Sequence, residues 1–480
     1  MSTTRQADMT FGVDSHTSGT RRPLHLAAFV MSTPGHIVQG TWRRPTGRQV
    51  EFNDLDIWVE LARTLERGKF ESIFFADIVG LYNAYEGGTD AFVKAGVGLP
   101  SNDPSALVSA LAYATDHIGV AFTASVVQEH PFSFARRIST LDHLTKGRVA
   151  WNIVTNVLAN AARNFGFDDL TEHDERYQWA DEYVDVAYKL WEGSWEDDAL
   201  AVDRESGVYA HPDKVHKIHH EGPRYKVEGP HLVSPSPQRS PFLFQAGASP
   251  AGRAFAARNA EAVFLISANP EQVSADIADI RGQAAAAGRN PDELVFFQGL
   301  QFVVASTDEE ARHKAAELDT WIDSYAQLAH MAGVANVDFG GLELNTPLRD
   351  VKADGLQSII DWVKAGITDR EATLEDLGRY LATSNRLTGS PQTIADELQQ
   401  WHDAGIDGVL VMNNEIPGTY DDFVDYVVPE LQKRGLSQTE YRPGTLRRRI
   451  LGKGDHLADT HPASAYRGAF TTPSPADTRN

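Results

Sequence analysis

Short apolar runs alternate eight times with helical stretches, and no other feature restricts so tightly how this 480-residue chain can fold. The runs read as strands near 23–31, 70–75, 118–126, 148–155, 242–246, 262–267, within 294–305, and at 408–412. Runs such as Phe242-Leu243-Phe244 are apolar at consecutive positions, as suits a parallel sheet covered on both faces. Helices are expected between them. That at 54–68 puts Leu55, Trp58, Leu61, Ala62 and Leu65 on one face, and that at 103–117 opens with Asp103-Pro104. Others are expected at 131–144, 174–192, from Pro250, at 270–288, from Ser390-Pro391, and at 420–434 with an interruption at Pro429. Eight β/α units in order predict an α/β chain folded as a (β/α)8 TIM barrel, more directly than a doubly wound sheet. Two stretches break the alternation and read as insertions: a hairpin-like one at 194–240 and a mostly helical one at 307–388. The expected organisation is a disordered or surface arm at 1–22, a single barrel at 23–436, and a C-terminal tail at 437–480.

Composition narrows the partners. With 66 acidic against 44 basic residues, nucleic acid and anionic membranes are poor matches. The absence of cysteine excludes disulfides, thiolate metal sites and a cysteine nucleophile. No run approaches the roughly 18 apolar residues of a membrane span, and the first 22 residues lack a signal-peptide core. A cytoplasmic protein is expected.

A barrel places chemistry at the C-terminal ends of its strands. The stretch PFLFQAGASPAGRAFAA, 241–257, turns from a buried strand through small residues into a helix capped by Ser249 and opened by Pro250. Such a helix start offers free N–H groups and the positive end of a dipole, which suits a phosphate, though many βα turns share the pattern. Asp77 ends FESIFFAD, where it either orients a ligand or caps the next turn. His173 and Tyr177 share a face of a helix start, as phosphate donors or as ordinary surface residues. His330 ends a helical run and reads either as a helix-end histidine or as one pointing into the barrel mouth. The histidines at 216, 219, 220 and 231 lack metal-site spacing, so no metal is expected. There is no GxGxxG after a strand, no P-loop and no GxSxG elbow. A phosphate site without a dinucleotide-binding unit is the pattern that remains.

Several runs together resemble a known family: RTLERGKFESIFFAD, ISTLDHLTKGRVAWNIVT, ARNFGFDDLTEHDERYQWADEY and PSPQRSPFLFQAGASPAGR are similar to flavin-dependent monooxygenases of the bacterial luciferase-like superfamily. The resemblance is to the group of nitrilotriacetate and dibenzothiophene-sulfone monooxygenases. IVGLYNAYEGG, SNDPSALVSALAY and YRPGTLRRRILGKGD look most like the dimethyl-sulfide and long-chain alkane enzymes. The resemblance implies a barrel that binds reduced FMN delivered by a separate NAD(P)H:flavin reductase. It also implies transfer of one oxygen atom from O2, through a C4a-(hydro)peroxyflavin, to a small apolar or organosulfur compound, a sulfide above all. Long-chain alkane hydroxylation, or hydride transfer with the deazaflavin F420, are the alternatives. Carried over by position, the FMN contacts are Asp77, Ser125, Thr155, Asn156, His173, Tyr177, Ala248 and Ser249, and the reacting-face residues are His36, Tyr82 and His330. Thr33 and Val157 stand where the alkane enzyme has a cysteine and a histidine, so no mechanism needing those side chains transfers. Relatives imply a homo-oligomer, a dimer or tetramer, with the tail expected to reach a neighbour.

Overall fold

The computed structural model describes residues 22–82, 85–155, 158–169, 171–247, 249–335, 337–351 and 356–471. Eight strands run parallel: β1 His25–Met31, β2 Ser72–Ala76, β3 Gly119–Ser125, β4 Val149–Val154, β5 Phe242–Gln245, β6 Ala262–Leu265, β7 Val295–Val304 and β8 Gly408–Met412. Each pairs with its neighbour in sequence, and β8 pairs with β1 in the register His25 to Gly408. The sheet therefore closes into the expected (β/α)8 barrel. β7 runs past the barrel rim and there pairs with a short extra strand, Arg386–Gly389.

The helices that matter to the site are α1 Leu55–Arg67, α2 Val108–Ala114, α3 Pro131–Leu144, α4 His173–Tyr188, α5 Pro250–Asn259, α6 Pro270–Ala286 and α7 Asp308–Asp319. They are followed by α8 Ser324–Ala335, α9 Gln357–Gly366, α10 Leu374–Thr383 and α11 Pro391–Asp403. Of these, α3 has the bounds expected from sequence. The helix expected at 103–117 is a 3-10 turn, Pro104–Ala106, followed by the shorter α2. Continuation of α4 towards 192 takes the form of a π-turn, Lys189–Gly193. The final helix is likewise interrupted by a π-turn, Phe423–Val427, just ahead of Pro429. Proline lacks the N–H that would bond back to residue 425, and the wider turn accommodates that gap.

Alternate strand residues fill the barrel interior. Phe29, Phe74, Phe242, Phe244 and Phe297 supply bulk, while Ala27, Ala121, Ala150 and Ala262 leave room for them. Two strand glycines are there for space: a Cβ on Gly408 would stand 2.5 Å from the Phe297 ring, and one on Gly299 2.7 Å from Phe264. The opposite face of each strand packs against the surrounding helices in the main core.

The two insertions differ. The first contains two antiparallel pairs, Leu200–Asp203 with Val208–Ala210 and His220–Glu221 with Lys226–Val227. Its histidines bond to protein: His216 to Glu196 at 2.8 Å, and His231 to the Ser139 hydroxyl at 3.0 Å. No group of three or more metal-ligating side chains occurs among the described residues. The second insertion builds its own core, in which Leu328, Ala329, Phe339, Ile360, Leu374 and Leu377 join Tyr82, Phe92 and Leu158 from loops of the barrel mouth.

At the other end of the barrel, residues of the tail close the floor. A short helix, Leu446–Leu451, inserts Leu446 and Ile450 among the interior side chains of its own barrel. Arg447 grips Glu261 through two bonds of 2.6 and 2.8 Å, and Arg449 lies 3.3 Å from Glu71. All four of these side chains are buried. No helix of the described residues is long and apolar enough to cross a membrane.

Candidate active site

The C-terminal ends of β2 to β5 surround a cavity of about 170 Å³ to which α4 contributes Tyr177. Asp77, Ser125, Thr155 and Tyr177 line it, so the structure gathers four of the residues singled out from sequence. Ile78, Val79, Ile153 and Leu158 give it apolar walls, and Gln128 and Gln245 add amides. Apolar walls with a few convergent polar groups are the lining expected of a small-molecule site.

The start of α5 lies next to the cavity, beside its lining residue Tyr177, and Ser249 itself is not part of the lining. Ser249 is the N-cap of α5, in extended conformation, and its hydroxyl accepts the Gly252 N–H at 3.1 Å. Gly252 is required by its surroundings: a Cβ there would stand 2.8 Å from the Tyr177 hydroxyl and 2.9 Å from the Gly247 Cα. The Tyr177 hydroxyl, the turn at Gly247 and the positive end of the α5 dipole thus converge on one point, the arrangement an anionic group needs. His173 lies beside Tyr177, with ring centroids 5.3 Å apart, but it is exposed, does not line the cavity, and meets Asp174 at 2.9 Å. Asn156 and Ala248 lie outside the described residues.

Asp77 sits half-buried at the end of β2, and burial, with the nearby Asp103 charge, raises its pKa to about 7 while the Ile78 N–H opposes the shift. At neutral pH it is therefore divided between an acceptor and a protonated donor.

The reacting-face residues form a second group above the barrel mouth. The Tyr82 ring packs edge-on to His330 with centroids 5.7 Å apart and lies 5.6 Å from Phe92. It presses on the backbone of α8, where a Cβ on Gly333 would stand 2.6 Å from the Tyr82 Cγ. His36 leans on Phe29 with ring centroids 5.0 Å apart, and its Nδ1 has no hydrogen-bond partner. Burial, reinforced by the neighbouring His330, lowers the His36 pKa to about 3; burial lowers that of His330 to about 4. Both imidazoles are neutral at pH 7. Burial raises the Tyr82 hydroxyl to about 12, so it remains a proton donor. The group as a whole presents uncharged side chains at the barrel mouth.

Sequence reasoning missed three polar residues. Gln128 receives the Ser125 N–H at 2.5 Å and so fixes the end of β3. Arg176 is buried one residue before Tyr177; its Nη1 donates to the Thr171 carbonyl at 3.2 Å and its Nε has no partner. Gln245 ends the apolar strand β5 with its Oε1 unpartnered. Only Gln245 interrupts an apolar run; Gln128 lies in a turn and Arg176 in a polar helix start, so neither carried a signal in the sequence.

The profile of a known family, luciferase-like monooxygenase, matches residues 29–408. The dimethyl-sulfide monooxygenase of Hyphomicrobium sulfonivorans is 44% identical over 455 residues, covering 94% of this chain and 95% of that one. The long-chain alkane monooxygenase of Geobacillus thermodenitrificans (strain NG80-2) is 44% identical over 448 residues, covering 93% and 98%. A crystal structure from Hyphomicrobium sulfonivorans, 43% identical, superposes with a TM-score of 0.90 over 96% of this chain and 99% of that chain.

Proposed function

Because the chain belongs to the luciferase-like monooxygenase family, we propose that it is the oxygenase half of a two-component system that accepts reduced FMN from a separate NAD(P)H:flavin reductase. Its substrate is a small apolar or organosulfur compound, a sulfide before others. The observation that carries this reading is the cavity at the ends of β2 to β5, with its apolar walls, and the helix start at Gly247 and Gly252 that adjoins its lining residue Tyr177. Reduced FMN, when bound, supplies the activation of dioxygen that no amino-acid side chain provides.

The protein's own contribution is binding, orientation and exclusion of water. Ser125 and Thr155 lie along the cavity to meet the flavin, and Asp77 offers either a donor or an acceptor. Tyr177 and the start of α5 receive the phosphate, with Ser249 holding that helix start in shape. Asn156, Ala248 and His173 are assigned to the cofactor by their place in the sequence. Tyr82 is the group best suited to give a hydrogen bond at the reacting oxygen, since it keeps its proton across the working range. Neutral His36 and His330 orient it and the substrate without bringing charge into the pocket. The separate core of the second insertion keeps bulk water away from that group.

The sulfide is preferred on chemical grounds, because a sulfur lone pair takes up an electrophilic oxygen far more readily than an unactivated C–H bond. Long-chain alkane hydroxylation is the second reading, supported by the 44% identity to an enzyme of that name. The deciding assay combines the protein, FMN, NADH and a generic flavin reductase with panels of sulfides, sulfones and alkanes. A product heavier by one oxygen atom, labelled from ¹⁸O2, is expected from a small sulfide. Oxygen uptake no greater than the autoxidation of reduced FMN, with no oxygenated product from any panel, rejects the proposal.

A further inference from the structure

Gln245 has a position that the cavity alone does not explain. It is the last residue of β5, 3% exposed, and it lines the cavity. Its amide is pressed against the turn that leads into α5: a Cβ on Gly247 would lie 2.5 Å from the Gln245 Nε2 and 3.0 Å from its Oε1. Yet Oε1 has no hydrogen-bond partner in the protein. A buried carbonyl oxygen left unpaired costs about as much as a lost hydrogen bond, so the site favours a ligand that brings a donor to this point. A phosphate is mainly the dianion near neutral pH, with only acceptor oxygens, and so satisfies it poorly. The neighbouring part of FMN can, because its ribityl chain carries hydroxyls that both donate and accept.

We propose that Gln245 is a cofactor-positioning residue that grips the ribityl chain, accepting from one hydroxyl through Oε1 and donating through Nε2 to an oxygen beside it. This rests on the reading that the cavity holds FMN. The phosphate falls to the turn and Tyr177, and the ring system to the apolar walls, so Gln245 bridges the two. It sets how deep the ring sits relative to Tyr82.

Three flavins separate the possibilities: FMN, riboflavin, which lacks the phosphate, and lumiflavin, which lacks the ribityl chain. Their dissociation constants are measured by fluorescence quenching with the oxidised forms, together with a melting curve. In Gln245→Met, which keeps length and volume, FMN and riboflavin are expected to weaken by the same factor, about tenfold, while lumiflavin binding is unchanged. Gln245→Glu keeps an acceptor, so riboflavin affinity is expected within about threefold of the wild type while FMN weakens through repulsion of its phosphate. Loss confined to FMN in Gln245→Met would place the amide at the phosphate and overturn the proposal. Equal loss for all three flavins would make Gln245 a residue that only shapes the cavity, and no loss for any would deny the contact. Failure of the wild-type protein to bind any flavin would overturn the cofactor reading itself, an outcome distinct from every result with the variants.

Discussion

Asp77 holds a proton in the folded chain at pH values where the unfolded chain has lost it. Its ordinary value is 3.8 and burial beside Asp103 takes it to about 7. Between those values the native state binds more protons than the unfolded one, so stability declines as pH rises through the window. Asp77→Asn is therefore expected to raise the melting temperature at pH 8, corresponding to roughly 2 kcal/mol, and to leave it unchanged at pH 3. Melting curves at the two pH values check this, and a gain of equal size at both would disprove the electrostatic account. His36 and His330 act with the opposite sense. Their folded values of about 3 and 4 lie below the ordinary 6.5, so the stability they contribute is present above pH 6.5 and is lost on acidification, down to about pH 4 for His330 and pH 3 for His36. Tyr82→Phe keeps the ring that fits against Gly333 and Phe92 and removes only the hydroxyl. Oxygenated product is expected to fall at least about tenfold while FMN affinity holds and hydrogen peroxide rises; unchanged product yield would remove Tyr82 from the chemistry. These residues were recognisable because long motifs surround them. Gln245 and Arg176 were not, since their importance lies in hydrogen bonds they fail to make, and a sequence does not display a missing partner.

The start of α5 is legible because local chemistry alone determines it: serine caps, proline opens, and both act within one turn. Ser249→Ala is expected to cost about 1 kcal/mol of stability, measured by denaturant unfolding. Gly252→Ala should act differently, since its methyl meets the Tyr177 hydroxyl and the Gly247 backbone. FMN affinity is expected to fall several-fold more than riboflavin affinity, as read by titration; equal losses would show that the phosphate is bound elsewhere. Local signals also placed α3, capped by His130 and opened by Pro131, and the all-apolar β8. They failed at the π-turn Lys189–Gly193, which has no proline to announce it, whereas Pro429 announces the interruption at Phe423–Val427. The short α2 shows the converse, where the cap at Asp103 starts a 3-10 turn and the helix proper begins only at Val108.

At the scale of the whole molecule the two ends of the barrel are built differently: a lined cavity above, closure by the tail below. Arg447→Ala would leave the Glu261 carboxylate buried without its partner, and a loss of about 3–5 kcal/mol is expected from thermal or urea unfolding. FMN affinity of the protein that remains folded should be unchanged, because the cavity lies at the other end; a proportional loss of both would contradict that separation. The barrel itself could be counted from eight β/α units, but its floor could not. Arg447-Arg448-Arg449 looks like a solvated basic cluster, and only Arg448 is one; its neighbours are buried against acids contributed by β2 and β6 flanks far back in the chain. Arg447 is 186 positions from Glu261, and Arg449 is 378 from Glu71. On a ribosome, therefore, the strands are all made while two carboxylates at the base still await their cations. Glu71 has the His25 ring beside it from β1, but Glu261 must stay hydrated or take up a proton until Arg447 emerges, so translation of that segment, not of the last strand, times the final sealing of the fold.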